Sequence, residues 1–348
     1  MKTLLRMGVF CAVCLVFLVP PGMGRAADDT PRTDCDTLAA SPQDPDRKAD
    51  AVTLEKLDFK KALDACKAAT AQYPNSARLH FQLGRIHDLS KRFDEAAAAY
   101  LKAAEAGYPA AQNALGLMYA MGRGVARDDA QAAAWYRKAA EQGNAYAQYN
   151  LGAVYATGRG VEKDAARALE WLRKAQSWYR KEAEKGNPDA QNALGLMYGT
   201  GNGVIPQDDA QAVAWYRKAA EQNNADAQNN LGAMYAEGRG VGKDSAQAVA
   251  WYRKAATLGS AYGQYNLGRM YANGAGIAKD DNQAAQWYRK AADQGLLAAQ
   301  IALGTIYENG RGVPRDNAQA IVWFTKAAQQ GHPIAKERLQ ALQEGKSQ

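Results

Sequence analysis

Histidine and cysteine, which supply many catalytic and metal-binding side chains, are scarce in this chain. Its 348 residues include three histidines, His80, His87 and His332, and four cysteines, of which Cys11 and Cys14 lie near the amino terminus. His80 and His87 are seven residues apart and can share one face of a helix. Neither a group of cysteines nor a dense group of carboxylates accompanies them as zinc ligands. The sequence therefore predicts no metal site and no cofactor.

The chain also lacks a complete phosphate-binding or nucleophilic motif. A GxG pair recurs, for example at Gly122 and Gly124, but no predicted strand precedes it and no GK[ST] follows it, as a phosphate-binding loop requires. No serine with a matched histidine and aspartate stands out. We therefore expect a protein that is not an enzyme, and a cell-wall-active enzyme is the minor alternative.

Blocks of one charge and long apolar runs are absent as well. Lys and Arg alternate with Asp and Glu, which is typical of solvated helix faces, so nucleic acid is not an expected partner. The apolar run from Gly8 to Val19 has about twelve residues, whereas a helix needs about twenty to span a membrane. No membrane span is expected in the processed chain.

Residues 1–26 instead have the layout of a cleaved secretory signal peptide. Lys2 and Arg6 precede the apolar run. Gly24 and Ala26 place small residues three and one before a cut ahead of Ala27. Removal of this segment takes away three basic residues and lowers the net charge from +7 to +4. We expect a periplasmic or secreted protein with a bacterial-type signal.

The acidic segment 27–56 has few residues that can be buried and is expected to be mostly disordered. Cys35 within it and Cys66 are the only cysteines beyond the signal peptide. Because an exported protein meets oxidising conditions, we predict a disulfide between them that fixes the segment to the first helix. Two buried free thiols are the alternative.

A block of about 36 residues recurs six times between residues 108 and 331. The segment AQNALGLMYAMGRGVARDDAQAAAWYRKAAEQG, residues 111–143, returns as AQYNLGAVYATGRGVEKD from Ala147 and as AQNALGLMYGTGNGV from Ala190. Copies in register indicate stacked repeats without a single core. The six repeats are 108–143, 144–186, 187–223, 224–259, 260–295 and 296–331.

These copies resemble the Sel1-like repeat, which is similar in fold to the tetratricopeptide repeat. The resemblance implies an all-α fold, a right-handed α-solenoid of stacked antiparallel helix pairs; we name the two helices of a repeat helix A and helix B. Residues 57–107 are similar to tetratricopeptide repeats, with Ala62, Cys66 and Pro74 at that family's spacing, and are expected to form an amino-terminal cap. Residues 332–348 are expected to form a polar capping helix and a tail.

Four local expectations follow from the repeat. Gly116 and its counterparts lie inside helix A, where glycine costs about 1 kcal/mol relative to alanine, so we expect helix B to approach closely there. The acid after the glycine-rich loop, Asp128 in the first repeat, is predicted to cap helix B. The tryptophans of helix B, such as Trp135, are predicted to be buried between successive helix pairs. The second repeat is seven residues longer, which predicts one continuous helix B that is longer by about 10 Å.

Seven residues of helix A are candidate binding residues. The position two before the leucine of helix A matches a groove-facing position of tetratricopeptide repeats. The position one turn earlier, which also holds Asp189 and Asp226, extends the row. Asn donates and accepts hydrogen bonds, and Tyr offers an apolar ring with a polar tip; ordinary solvated positions are the alternative. The candidates are Asn113, Tyr146, Tyr149, Asn192, Asn229, Tyr262 and Tyr265.

Stacked repeats curve and leave an extended surface, so these features predict a scaffold or adaptor that binds a protein or extended peptide in a concave groove. The resemblance favours envelope signalling or contact with host factors as its setting. A glycan of the cell envelope is the alternative ligand, because a row of tyrosines suits a sugar.

Overall fold

The computed structural model describes residues 30–39, 57–201 and 206–345, and these residues form 17 α-helices and no β-strand. The predicted signal peptide lies outside the described residues. Within the described ranges, no helix is both long and apolar enough to cross a membrane. The helices, α1 to α17 in chain order, are Asp34–Ala39, Phe59–Gln72, Ala77–Leu89, Phe93–Glu105, Pro109–Met121, Asp129–Glu141, Ala145–Thr157, Ala165–Glu184, Pro188–Thr200, Asp209–Glu221, Ala225–Glu237, Ser245–Thr257, Ala261–Asn273, Asp281–Asp293, Leu297–Asn309, Asn317–Gln329 and Pro333–Gln343.

The chain divides into two units, and each is built from packed helix pairs. Unit 1 comprises Met1–Lys181 with Asn202–Pro206, and unit 2 comprises Glu182–Gly201 with Gln207–Gln348. In unit 1, α3 packs on α4 and α5 packs on α6. In unit 2, α9 packs on α10, α11 on α12, α13 on α14 and α15 on α16, and the closing helix α17 packs on α16. Successive pairs also pack on each other, as α12 does on α13, so the predicted stacking of helix pairs is confirmed within each unit.

Glycine inside helix A allows helix B to come close. A Cβ atom on Gly116 would lie 2.6 Å from Cε1 of Tyr136 and 3.2 Å from the carbonyl oxygen of Ala132. Gly232 stands in the same relation to Tyr252, whose ring would be 2.8 Å away. The predicted close approach is confirmed, and its cause is a tyrosine ring that occupies the space of the absent side chain.

Aspartate caps helix B, as predicted. Asp128 Oδ1 accepts hydrogen bonds from the backbone amides of Ala130 and Gln131, both at 2.9 Å. A cap of this kind stabilises a helix by about 0.5–2 kcal/mol. The same role is filled in the other repeats by Asp164, Asp208, Asp244, Asp280 and Asp316.

The tryptophans are less buried than predicted. Trp135 and its counterparts are half-buried, and only Trp323 is fully buried. Trp135 packs beside the core cluster that contains Leu115, while Lys138 Nζ lies 3.9 Å from its ring centroid. The fully buried ring of helix B is the following residue, Tyr136. The predicted packing of the tryptophans against the core is therefore found, but every indole except that of Trp323 keeps part of its surface exposed.

Helix α8 confirms the prediction for the second repeat. It has 20 residues, whereas helix B of the first and third repeats has 13. The helix continues through Gln176 and Ser177 without a break. Ala168, Leu172 and Tyr179 along it are buried, so the apolar stripe persists through the extra two turns.

The amino-terminal segment contains more buried structure than its composition predicts. Residues 30–39 include α1, in which Cys35 and Asp36 are completely buried. The predicted disulfide between Cys35 and Cys66 is present. Helix α1 packs on both α2 and α3. Residues 40–56 of the acidic segment lie outside the described residues.

Candidate functional site

The seven candidate binding residues differ in the surface they offer. Asn113 is 1% exposed and Tyr146 is 2% exposed, so the structure excludes both from an exposed binding surface, contrary to the prediction. Tyr146 is covered by the lengthened α8, whose Trp178 and Tyr179 rings have centroids 6.4 and 5.4 Å from its own. The other five candidates are partly exposed: Tyr149, Asn192, Asn229, Tyr262 and Tyr265.

Asparagines on helix A join successive repeats. In unit 2, Asn230 Nδ2 donates to Asn192 Oδ1 at 3.1 Å, and Asn266 Nδ2 donates to Asn229 Oδ1 at 2.8 Å. Asn113 accepts the equivalent bond in unit 1. The side-chain oxygens of the candidates Asn192 and Asn229 thus accept hydrogen bonds within the fold. Their side-chain NH2 groups are the donors that they offer to a ligand.

Asp226, in the same row, has a perturbed pKa, and Asp189 is the like charge that contributes to it. Asp189 and Asp226 occupy, in the third and fourth repeats, the position that Tyr262 occupies in the fifth. Asn224 Nδ2 donates to Asp189 Oδ1 at 2.8 Å. Burial, followed by the charge of Asp189, raises the pKa of Asp226 to about 6. A partly buried carboxylate beside a like charge is stabilised best by an added cation.

The tyrosines continue this surface on α13. Tyr265 packs on Tyr288, with ring centroids 5.5 Å apart, and the exposed Arg269 places its guanidinium 5.9 Å from the Tyr265 centroid. We call the partly exposed side chains of α9, α11 and α13 the unit 2 helix-A face. Its members are Asp189, Asn192, Asp226, Asn229, Tyr262 and Tyr265.

In unit 1, α1 packs over α3, which is the helix A of the amino-terminal cap. Arg78 of α3 corresponds in position to Asp189 and Asp226, and its guanidinium forms a completely buried ion pair with Asp36 of α1. Gln82 Nε2 donates to Asp36 Oδ1 at 3.2 Å, and Arg85 donates to the carbonyl oxygen of Ala39 at 3.3 Å. The helix-A side of α3 therefore holds a short acidic segment through cationic and amide side chains.

The histidines form no metal site. His80 Nε2 lies 2.8 Å from the carbonyl oxygen of Pro74, and burial lowers the pKa of His87. Across the described ranges, no group of three or more His, Cys, Asp or Glu side chains is placed to hold a metal ion.

Comparison with known proteins adds a family match and related structures. A family model for the Sel1 repeat matches residues 109–144, 145–177, 172–187, 188–224, 225–260, 261–296 and 297–332, with two overlapping matches on the lengthened second repeat. The chain is similar to a protective antigen of uropathogenic Escherichia coli with an SLR fold, at 35% identity over 83% of this chain and 69% of the other, with a TM-score of 0.47. It is also similar to a Sel1 repeat protein from Oxalobacter formigenes, at 32% identity over 71% and 96% of the two chains, with a TM-score of 0.48. No curated protein matches it.

Proposed function

We propose that this chain, which belongs to the Sel1 repeat family, is an exported scaffold. Members of that family are generally non-catalytic scaffolds for protein interactions. The proposed ligand is an extended, basic segment of a partner protein, and it binds on the unit 2 helix-A face. The observation that carries this proposal is the Asp226 carboxylate, partly buried beside Asp189 with its pKa raised to about 6. A lysine or arginine of the partner would relieve the repulsion between the two carboxylates.

The neighbouring side chains suit an extended backbone. The NH2 groups of Asn192 and Asn229 can donate to carbonyl oxygens of a bound chain, and Tyr262 and Tyr265 offer rings for its apolar or cationic side chains. The Asn230 and Asn266 hydrogen bonds fix the asparagines in place before binding, so little side-chain entropy is lost.

The setting that we propose is the periplasm or the cell exterior, in envelope signalling or in contact with a host. The layout of residues 1–26 supports export, and a disulfide between Cys35 and Cys66 suits an oxidising compartment. Sequencing of the mature protein from fractionated cells is expected to give Ala27 as the first residue.

Site-specific photo-cross-linking in the native envelope tests the binding surface. A benzophenone amino acid replaces Asn229 in one variant and Asp293, an exposed residue of α14, in the other. The cross-linked segment is then synthesised, and its affinity for the mature chain is measured by fluorescence anisotropy. We expect the variant with the cross-linker at position 229 to capture a partner protein and the variant at position 293 to capture none. The captured segment is expected to be basic.

Matched charge variants separate this surface from net charge. The double variant Asp189→Asn/Asp226→Asn is expected to weaken binding of that peptide about tenfold, and a double variant of exposed acids, Asp293→Asn/Glu221→Gln, is expected to leave it unchanged. An acidic captured segment, carbohydrate in place of peptide, or equal losses in the two double variants would each overturn the proposal.

A further inference from the structure

The fourth repeat, in unit 2, departs from its two neighbours at both ends of its helix B, α12. The third and fifth repeats begin helix B with Asp209 and Asp281, and each is followed by a glycine-rich loop that contains an arginine. Arg239 pairs with Asp209 at 2.6 Å and Arg311 pairs with Asp281 at 3.0 Å, so the loop of each next repeat is tied to the preceding helix B. The fourth repeat has Ser245 at the first position, and Ala275 replaces the arginine of the following loop.

The other end of the same helix has changed as well. Helix α10 ends with Glu221 followed by Gln222, whose Nε2 donates to Gln191 Oε1 at 2.8 Å. Helix α14 ends in the same way, with Asp293 followed by Gln294. Helix α12 ends with Thr257 followed by Leu258, whose side chain cannot donate a hydrogen bond. Leu258 is 39% exposed, and Gln228 Oε1 on the paired helix A is buried without a hydrogen-bond partner.

A groove lies beside α12, the helix in which these residues are substituted. It has a volume of about 570 Å³ and runs along α12 beside the loop that follows α13. Val249, Ala250 and Ile277 give it an apolar wall, and Arg253, Lys254 and Thr257 line its other side. Helix B of each neighbouring repeat has an acidic residue at its first and last positions. In α12 these two positions hold Ser245 and Thr257.

Both cations of the groove are held by neutral partners. Arg253 donates to the Tyr271 hydroxyl at 3.1 Å, and Lys254 Nζ lies 4.0 Å from the ring centroid of Trp251. Neither side chain takes part in an ion pair within the described residues of unit 2. The groove therefore combines an apolar wall with two positive charges that are not in ion pairs with the described part of unit 2, and this combination fits an apolar side chain flanked by an acidic one.

We propose that this groove binds an acidic segment of a partner protein, with an apolar side chain against Val249 and Ile277 and a carboxylate between Arg253 and Lys254. It is separate from the acidic helix-A face, which we expect to bind a basic segment, so either proposal can fail without the other.

Methyl NMR on the mature chain tests the groove with defined probes. The probes are the peptides acetyl-Glu-Leu-Glu-Leu-Glu-amide, its Gln counterpart and its Lys counterpart. The acidic peptide is expected to shift the methyl signals of Ile277 and Val249, and the Lys peptide is expected to leave them unchanged. Equal shifts with the acidic and Gln peptides, or no shift with the acidic peptide, would overturn the proposal.

Variants that restore the neighbours' residues keep the fold while they alter the groove. Thr257→Glu is expected to weaken binding of the acidic peptide about tenfold, whereas Thr257→Gln, of the same length without the charge, is expected to bind as the parent does. Ser245→Asp/Ala275→Arg rebuilds the missing ion pair and is expected to raise the melting temperature while it lowers affinity. Undiminished affinity in Thr257→Glu would contradict the assignment.

Discussion

Asn230 donates a hydrogen bond from Nδ2 to Oδ1 of Asn192, 38 residues earlier in the chain, at 3.1 Å. The bond ties the helix A of one repeat to that of the next, and Asn266 repeats it onto Asn229. Asn192 and Asn229 are thus structural residues as well as candidate binding residues. Loss of binding in an alanine variant at either position has to be compared with its loss of stability.

The first prediction concerns this bond. Asn192→Ala and Asn230→Ala are each expected to lower the free energy of unfolding by about 1 kcal/mol, because each leaves one partly buried polar group without its partner. The double variant is expected to lose less than the sum of the two. Urea denaturation measures all three, with the exposed Asn309→Ala as the control. Strictly additive losses would mean that the bond contributes nothing.

The second prediction compares two glycines of the fourth repeat. Gly232→Ala is expected to destabilise by about 1–3 kcal/mol, since its Cβ would lie 2.8 Å from the Tyr252 ring and that ring is packed. Gly242→Ala meets nothing within 4 Å and is expected to change stability by less than about 0.5 kcal/mol. Thermal denaturation of the two variants side by side is the measurement, and similar melting temperatures would contradict the close contact.

The third prediction is a pH dependence at Asp226. Its pKa in the folded chain is about 6, above the usual value of about 4. Folding therefore favours the protonated form, and the stability that protonation supplies is lost as pH rises from 4 to 6. Asp226→Asn is expected to raise the melting temperature at pH 7.5 and to have little effect at pH 4. An equal gain at both pH values would show that ionisation of Asp226 is not the cause.

The fourth prediction concerns the buried pair of Asp36 and Arg78. Asp36→Ala, with the disulfide intact, is expected to destabilise the amino-terminal cap by about 3–5 kcal/mol because it leaves the Arg78 charge buried and unpaired. The double variant Asp36→Leu/Arg78→Met is expected to recover most of this loss. Hydrogen exchange of the α2 and α3 amides reports the effect. A double variant no more stable than Asp36→Ala would show that the unpaired charge of Arg78 is not the cause of the lost stability.

Repeating features were predictable because each is decided within one repeat. The aspartate caps depend on a side chain and backbone amides two or three residues away, as at Asp128. The length of α8 follows from the helical period, and Gly116 is explained by a partner twenty residues on, Tyr136. The Cys35–Cys66 disulfide was predictable because the sequence offered no other pair beyond the signal peptide.

The candidate site was predictable only in part, since burial depends on residues far away in sequence. Asn113 and Tyr146 share their positions with partly exposed counterparts, and they are buried because of what packs on them, including the extra turns of α8 over Tyr146. The extent to which each tryptophan is buried also varies with its neighbour, as Trp323 shows. The order of α1 escaped prediction because its contacts, among them the ion pair of Asp36 with Arg78, 42 residues later, are made with helices farther along the chain.

By itself, the sequence determined the family, the helix pairs and their caps, because spacing and local hydrogen bonding act over a few turns of one chain. Only the tertiary structure decided which members of a repeated position reach solvent, that Asp189 and Asp226 repel each other, and where a groove opens beside α12. Those properties arise between helices, where packing and the loss of water set the energies.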